Sequence, residues 1–120
     1  MDQSKNSLLK IYASTTDRIG SDLLYEHVVV AARRKKIAGV TVYRGIMGFG
    51  PSSIHIDQSR FWELTEKLPV VIEIVDKTEI LENFYLLIEE ELQKVPKGCM
   101  VTMQPIDIKL QKSGDAVKKK

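Results

Sequence analysis

The chain has 120 residues, 43% apolar and 28% charged, which excludes a disordered or fibrous protein and fits one domain around a single core. No apolar run approaches the roughly 20 residues needed to cross a bilayer, and residues 1–6 lack the apolar centre of a secretory signal, so the expected location is the cytoplasm. The net charge of +2 is concentrated at the C-terminus: residues 112–120 hold four lysines and one acid, leaving residues 1–111 at −1. A basic end on a near-neutral domain is no nucleic-acid signature, because that affinity needs several organised phosphate contacts. One domain over residues 1–114 and a disordered basic tail over 115–120 are therefore expected.

Residues 8–13 (LLKIYA) form a short apolar run with Ile and Tyr that suits a first strand. A polar loop follows over 14–20. Ser21 is then placed to cap a helix over 22–36, acidic at its start (Asp22, Glu26) and basic at its end (Arg33, Arg34, Lys35, Lys36), the order that complements the helix dipole. Leu23, Leu24, His27, Val28, Ala31 and Ala32 recur at helical spacing as its apolar stripe, and Gly39 is the expected terminator.

A second strand is expected over 40–46. Residues 70–75 (VVIEIV), started by Pro69 and apolar almost throughout, read as a central strand. Asp76, with Glu79 three positions on, resembles a capping box for the next helix. Its stripe is Ile80, Phe84, Leu87, Ile88, Leu92 and Val95, and Pro96 follows its end. The last strand is expected over 99–110, at an edge or a bulge, because Pro105 cannot donate to a ladder.

Strand, helix, strand, strand, helix, strand is the order of an α+β ferredoxin-like βαββαβ sandwich, with both helices on one face of a four-stranded antiparallel sheet. Apolar residues occupy both faces of the third strand: Val70, Ile72 and Ile74 on one, Val71 and Val75 on the other. A second apolar face in so small a domain implies a cover, most simply further copies of the chain.

The stretch GVTVYRGIMGFG (39–50) ends a strand in three close glycines, Gly45, Gly48 and Gly50. It lacks the lysine and Ser/Thr of a P-loop, and no helix begins where a dinucleotide fingerprint requires one. Two readings are compatible: a wide turn needing positive φ, and a backbone arch whose N–H groups face an anion. Arg44 beside it is a candidate anion contact.

The same stretch resembles the end of the second strand of PII signal-transduction proteins, where Gly-Phe-Gly opens the long T-loop. LPVVIEIVD (68–76), VTMQPI (101–106) and KSG (112–114) match later pieces in order. With Tyr25-Glu26 early in the first helix, the closer resemblance is to the PII-like family known as domain of unknown function 190, over residues 7–114. It implies a homotrimer of ferredoxin-like subunits with a small-molecule site in each cleft between subunits. The implied ligand set is Gly48, Phe49, Gly50, Pro51 and Ser52 at the loop, Lys97 and Gly98 before the last strand, and Lys112 in the tail, with Arg44 added from its own position. Three departures stand out. Met100 replaces the triphosphate-binding lysine, Pro51-Ser52 replaces the glutamine associated with metal and 2-oxoglutarate, and residues 54–68 hold no tyrosine to be uridylylated.

The implied function is a regulatory protein, not an enzyme, that binds a small anionic effector such as an adenine nucleotide and signals through the loop after the second strand. Its target would be another protein, a membrane-transport protein among the candidates. The alternatives are a trimeric scaffold that binds no nucleotide, or a divalent-metal handler of the same architecture. Other residues read more plainly. His27 suits a core or interface position, and His55 with Asp57 is too small a set for a metal site. Cys99, the only cysteine, reads as an inert strand residue. Phe61 and Trp62 read as packed anchors of the 51–68 loop, expected to be the most mobile internal segment, and Glu89, Glu90 and Glu91 as a solvated helix face.

Overall fold

The computed structural model describes residues 5–51 and 68–114. Expectations for Ser52, His55, Asp57, Phe61, Trp62, most of the 51–68 loop and the 115–120 tail lie outside the described residues. Strand β1 (Asn6–Ser14) leads into a two-residue ribbon, β2 (Arg18–Ile19) with β3 (Asp22–Leu23), and then helix α1 (Leu24–Arg34). Strands β4 (Gly39–Arg44) and β5 (Pro69–Lys77), helix α2 (Thr78–Lys94) and strand β6 (Met100–Ile106) complete the chain. The four long strands form one sheet in the order β4-β5-β1-β6, antiparallel at every pairing. This is the expected ferredoxin-like α+β sandwich, with β5 central and Pro105 on the edge strand β6.

Alternation sorts the strands into two faces. Leu9, Ile11, Ile72 and Ile74 are all at most 2% exposed and meet Leu24, Val28 and Ala32 of α1 and Leu81, Phe84, Ile88 and Leu92 of α2, and Val70 on the same face is 2% exposed. Burying each such aliphatic side chain contributes about 1.5–3 kcal/mol, so this layer carries the fold. The helices are joined at their outer rim by His27 Nε2 and Glu91 Oε1, 2.9 Å apart.

The element ends depart from expectation, each for a local reason. Helix α1 starts at Leu24, not Asp22, and Ser21 does not cap it; the first turn is held by the Leu24 N–H donating to the Asp17 carbonyl at 2.7 Å. The polar loop is instead the β2–β3 ribbon, closed by Arg18 Nη1 donating to the Ser21 carbonyl at 2.8 Å. Gly39 does not terminate α1 but begins β4; the left-handed residue that turns the chain is Lys36, at φ 59°. Asp76 does not cap α2, because β5 continues to Lys77. Its carboxylate accepts the Ala38 N–H at 2.9 Å and the Lys77 N–H at 2.6 Å, tying the turn before β4 to the end of β5. The α2 stripe is Leu81, Phe84, Ile88 and Leu92, while Ile80 (39%) and Leu87 (55%) are exposed. Strand β4 ends at Arg44 rather than Ile46, and the last strand runs over Met100–Ile106, so Cys99 lies just before it.

Candidate functional site: the arch after β4 and the loop before β6

The arch is fastened to the sheet by backbone. Gly45 N–H donates to the Pro69 carbonyl at 2.8 Å, and on the neighbouring strand Thr15 N–H donates to the Leu68 carbonyl at 3.0 Å. The start of β5 is thereby gripped from both sides. The close approach explains two of the three glycines. A Cβ on Gly45 would stand 2.8 Å from Pro69 Cγ, and one on Gly48 would stand 3.3 Å from the same atom. Neither has a positive φ; among the described glycines only Gly20 does, at 62°. The wide-turn reading is thus corrected: Gly45 and Gly48 make room for the Pro69 ring. Gly50 differs, since a Cβ there would meet nothing within 4 Å. Its absent side chain has no packing reason among the described residues.

Beyond the fastened part the arch is exposed. Ile46 (91%), Met47 (53%) and Phe49 (70%) stand out from the body, so Phe49 does not anchor the arch against its own chain. Arg44 and Pro51 are exposed as well.

Register places the remaining candidates. Arg44 is opposite Val70, Tyr43 opposite Val71, Val71 opposite Tyr12, and Tyr12 opposite Met100. The arch and the Lys97-Gly98 loop therefore share one end of the sheet but lie at its two opposite edges. Three inter-strand spacings of about 4.8 Å each separate them. Lys112 is exposed and follows β6 from its other end, where Ile106 is opposite Asn6. The structure brings Arg44, Gly48, Phe49, Gly50 and Pro51 into one cluster and Lys97 with Gly98 into another, and it does not unite the two within one chain.

The face away from the helices was legible only as apolar, and it is more structured than that. Three rows cross it: Val75 with Leu8 and Gln104; Thr41, Glu73, Lys10 and Thr102; then Tyr43, Val71, Tyr12 and Met100. In the middle row Lys10 Nζ lies 3.9 Å from Glu73 Oε2, and the Tyr43 hydroxyl donates to the same carboxylate oxygen. That hydrogen bond, followed by desolvation and the Glu73 charge, raises the Tyr43 phenol above its ordinary pKa. The row Tyr43–Val71–Tyr12–Met100 lies at the sheet end that carries the arch.

No group of three or more His, Cys, Asp or Glu residues able to hold a metal occurs among the described residues. No described helix is long and apolar enough to cross a membrane.

The comparisons with known proteins agree with this geometry. A UPF0166 protein of Methanocaldococcus jannaschii is 35% identical over 101 residues, covering 81% of this chain and 92% of its own. A UPF0166 protein of Aquifex aeolicus is 30% identical over 105 residues, covering 87% and 97%. Among solved structures, a crystal structure from Thermus thermophilus described as a PII-like signaling protein superposes with a TM-score of 0.55 at 17% identity, covering 88% of this chain and 90% of that one. CPII of Thiomonas intermedia K12, bound to ADP, AMP and acetate, gives a TM-score of 0.55 at 11% identity, covering 90% and 94%. These likenesses show a PII-like fold. The DUF190 family model, described as "Uncharacterized ACR", matches residues 6–108, and the chain belongs to that family, which the relatives carry as UPF0166.

Proposed function

We propose that this protein is a PII-like regulatory protein, non-enzymatic, that assembles as a homotrimer and binds a small anionic effector of the adenine-nucleotide type between its subunits. The observation that supports the reading best is the division of the candidate site. One half, Arg44 with Gly48, Phe49 and Gly50, lies at the β4 edge; the other, Lys97 with Gly98, lies at the β6 edge of the same sheet end. A ring that sets the β4 edge of one copy beside the β6 edge of the next brings the halves together, and a closed ring is the soluble outcome of such head-to-tail contacts. The apolar rows on the open face give the copies a surface to bury. The Thiomonas CPII structures that share the fold carry ADP with AMP and acetate, or with bicarbonate, the ligand chemistry that cations and backbone N–H groups favour. Effector binding would reorganise the loop after β4 and so signal to a protein target.

The test is subunit complementation. Arg44→Ala and Lys97→Ala proteins are each titrated with ADP, AMP and ATP by calorimetry, then mixed, exchanged and titrated again. Each variant alone should bind poorly, and the mixture should regain binding because some interfaces pair two intact halves. Failure of the mixture to regain binding, or a wild-type chain that ignores all three nucleotides, would overturn the reading.

The glycines supply a second check. Gly50→Val should leave the fold intact and abolish binding, since its Cβ meets nothing within 4 Å among the described residues. Gly45→Val should cost about 1–3 kcal/mol of stability by overpacking against Pro69, read by denaturant unfolding. If Gly50→Val unfolds the protein or leaves nucleotide affinity unchanged, Gly50 plays no part in ligand approach.

A further inference from the structure

We propose that the sheet end opposite the arch is a docking surface for an anionic lipid bilayer. Backbone contacts gather this end from separate parts of the chain. Asn6 of β1 is opposite both Lys77 of β5 and Ile106 of β6. Thr78 N–H donates to the Lys5 carbonyl at 2.8 Å, and Ala38 N–H to the Asp76 carboxylate at 2.9 Å. The turn from α1 into β4 therefore lies beside the end of β5, and both lie beside the start of β1. These segments carry Lys5, Arg33, Arg34, Lys35, Lys36 and Lys77, all exposed. No ion pair engages any of the six among the described residues.

The acids near them offer little counter-charge. Asp76 is 9% exposed and accepts the Ala38 and Lys77 N–H groups, and Asp107 Oδ2 lies 3.0 Å from Lys109 Nζ. Glu79, exposed in the first turn of α2, is what remains among the described residues. The dipole of α1 explains only part of the cluster. The Ala31, Ala32 and Arg33 carbonyls already accept the N–H groups of Lys35, Ile37 and Lys36, and Lys5 and Lys77 belong to the sheet, outside the last turn where a dipole acts. A second copy is a poor match, because the acidic run of α2 is spent on its own neighbours: Glu89 on Gln93 at 3.4 Å, Glu90 on Lys94 at 4.0 Å and Glu91 on His27 at 2.9 Å.

Two observations favour lipid over nucleic acid. Residues 5–8, 33–39, 75–80 and 104–114 contain no Phe, Tyr or Trp on which bases could stack. Aliphatic side chains stand exposed there instead: Ile80 (39%) in the first turn of α2 and Leu110 (77%), just beyond β6. Cations beside exposed aliphatic groups suit the headgroup layer, where the cations meet lipid phosphates and the aliphatic ends enter the acyl boundary. Docking here leaves the arch and the Lys97-Gly98 loop at the far end of the sheet, so it does not depend on the nucleotide reading.

Vesicle co-sedimentation of the full chain tests this, with phosphatidylcholine alone or mixed with an equal part of phosphatidylglycerol. Salt is set at about 0.1 M and about 1 M, where screening lengths are about 10 and 3 Å. The protein should bind the anionic vesicles at the lower salt, release them at the higher, and ignore the neutral ones. Lys77→Gln should weaken binding about fivefold, the share of one cation at the surface, and Arg33→Gln with Lys35→Gln about 25-fold. Lys94→Gln removes the same charge at the other end of the 17-residue α2, about 25 Å away, and should change binding less than about twofold. Leu110→Ser should weaken vesicle binding by up to about tenfold. All these positions are exposed, and far-ultraviolet dichroism verifies that each variant folds. No binding to anionic vesicles, equal binding to neutral ones, a Lys94→Gln loss equal to that of Lys77→Gln, or wild-type vesicle binding by Leu110→Ser would overturn the proposal. So would a random-sequence duplex DNA that binds more tightly than the vesicles and loses affinity in the same lysine and arginine variants. A chain that binds these vesicles but no nucleotide would sink the nucleotide reading and leave this one standing.

Discussion

Residues 70–75 are neighbours in sequence and strangers in environment. Val70, Ile72 and Ile74 lie under the helices at 0–2% exposure, while Val71, Glu73 and Val75 lie on the open face, half-buried by their own neighbours. Within residues 70–75 the helix side is aliphatic and buried throughout. The open side has two apolar rows and between them a polar row, in which Lys10, Glu73 and Tyr43 satisfy one another. Both faces are apolar enough to avoid water, but among the described residues only one is covered. The first is a core that makes the fold. The second carries a polar row between two apolar rows, and the ion pair and hydrogen bond in that row would favour one alignment of a covering partner over a slipped one.

The largest contrast comes from adjacent truncations. Ile72→Ala opens a cavity in a filled layer and should destabilise by about 2–5 kcal/mol. Val71→Ala should cost under about 1 kcal/mol at concentrations where the protein is dissociated. Urea unfolding of the two variants decides it; equal losses in dilute protein would mean that the two faces are not distinct. A second, smaller effect concerns assembly. If the proposed trimer of 13.6 kDa chains buries this face, Val71→Lys, which places an unpaired charge in the aromatic row, should yield monomers that keep wild-type far-ultraviolet dichroism. Light scattering that shows an unchanged assembly would remove the open face from the interface, as would a wild-type chain that is already monomeric.

The two faces were visible in the sequence because alternation in a strand needs no tertiary information, and the element order did the rest. What failed to show was chosen by contacts between distant residues. In α2, the Ile80-Leu81 and Leu87-Ile88 pairs let two stripes fit the helical period equally well, and only docking against β1 and β5 selects Leu81 and Ile88. Asp76 looked like a cap because Glu79 follows it, but its partner is the Ala38 N–H, 38 positions away. Gly45 and Gly48 looked like residues chosen for positive φ and proved to be chosen for the nearness of Pro69, a contact across two strands. The candidate site suffered in the same way. Its residues were legible by type and position, but their separation onto opposite sheet edges emerges only once the strand order is known.

The smallest expected effect is the most diagnostic of the open face, because it reads the polar row directly. The neutral Tyr43 phenol donates to the Glu73 carboxylate, and ionising it would lose that hydrogen bond and place two negative charges together. The phenol pKa is therefore raised in the folded protein. By linkage, the stabilisation is complete below the ordinary tyrosine pKa and is lost as pH rises through the raised folded value. Carbon-detected tyrosine titration should place Tyr43 above the ordinary value, and Glu73→Gln should bring it back towards that value by removing the charge and weakening the acceptor. Assembly sharpens the test. If copies cover this face, desolvation adds to the hydrogen bond in the same direction, so wild-type Tyr43 should titrate higher in concentrated, assembled protein than in the same protein diluted until it dissociates. A Tyr43 that titrates at the ordinary value, or one that stays equally raised in Glu73→Gln, would show that the polar row is not organised around Glu73. Equal values in the assembled and dissociated proteins would place the interface elsewhere on the molecule.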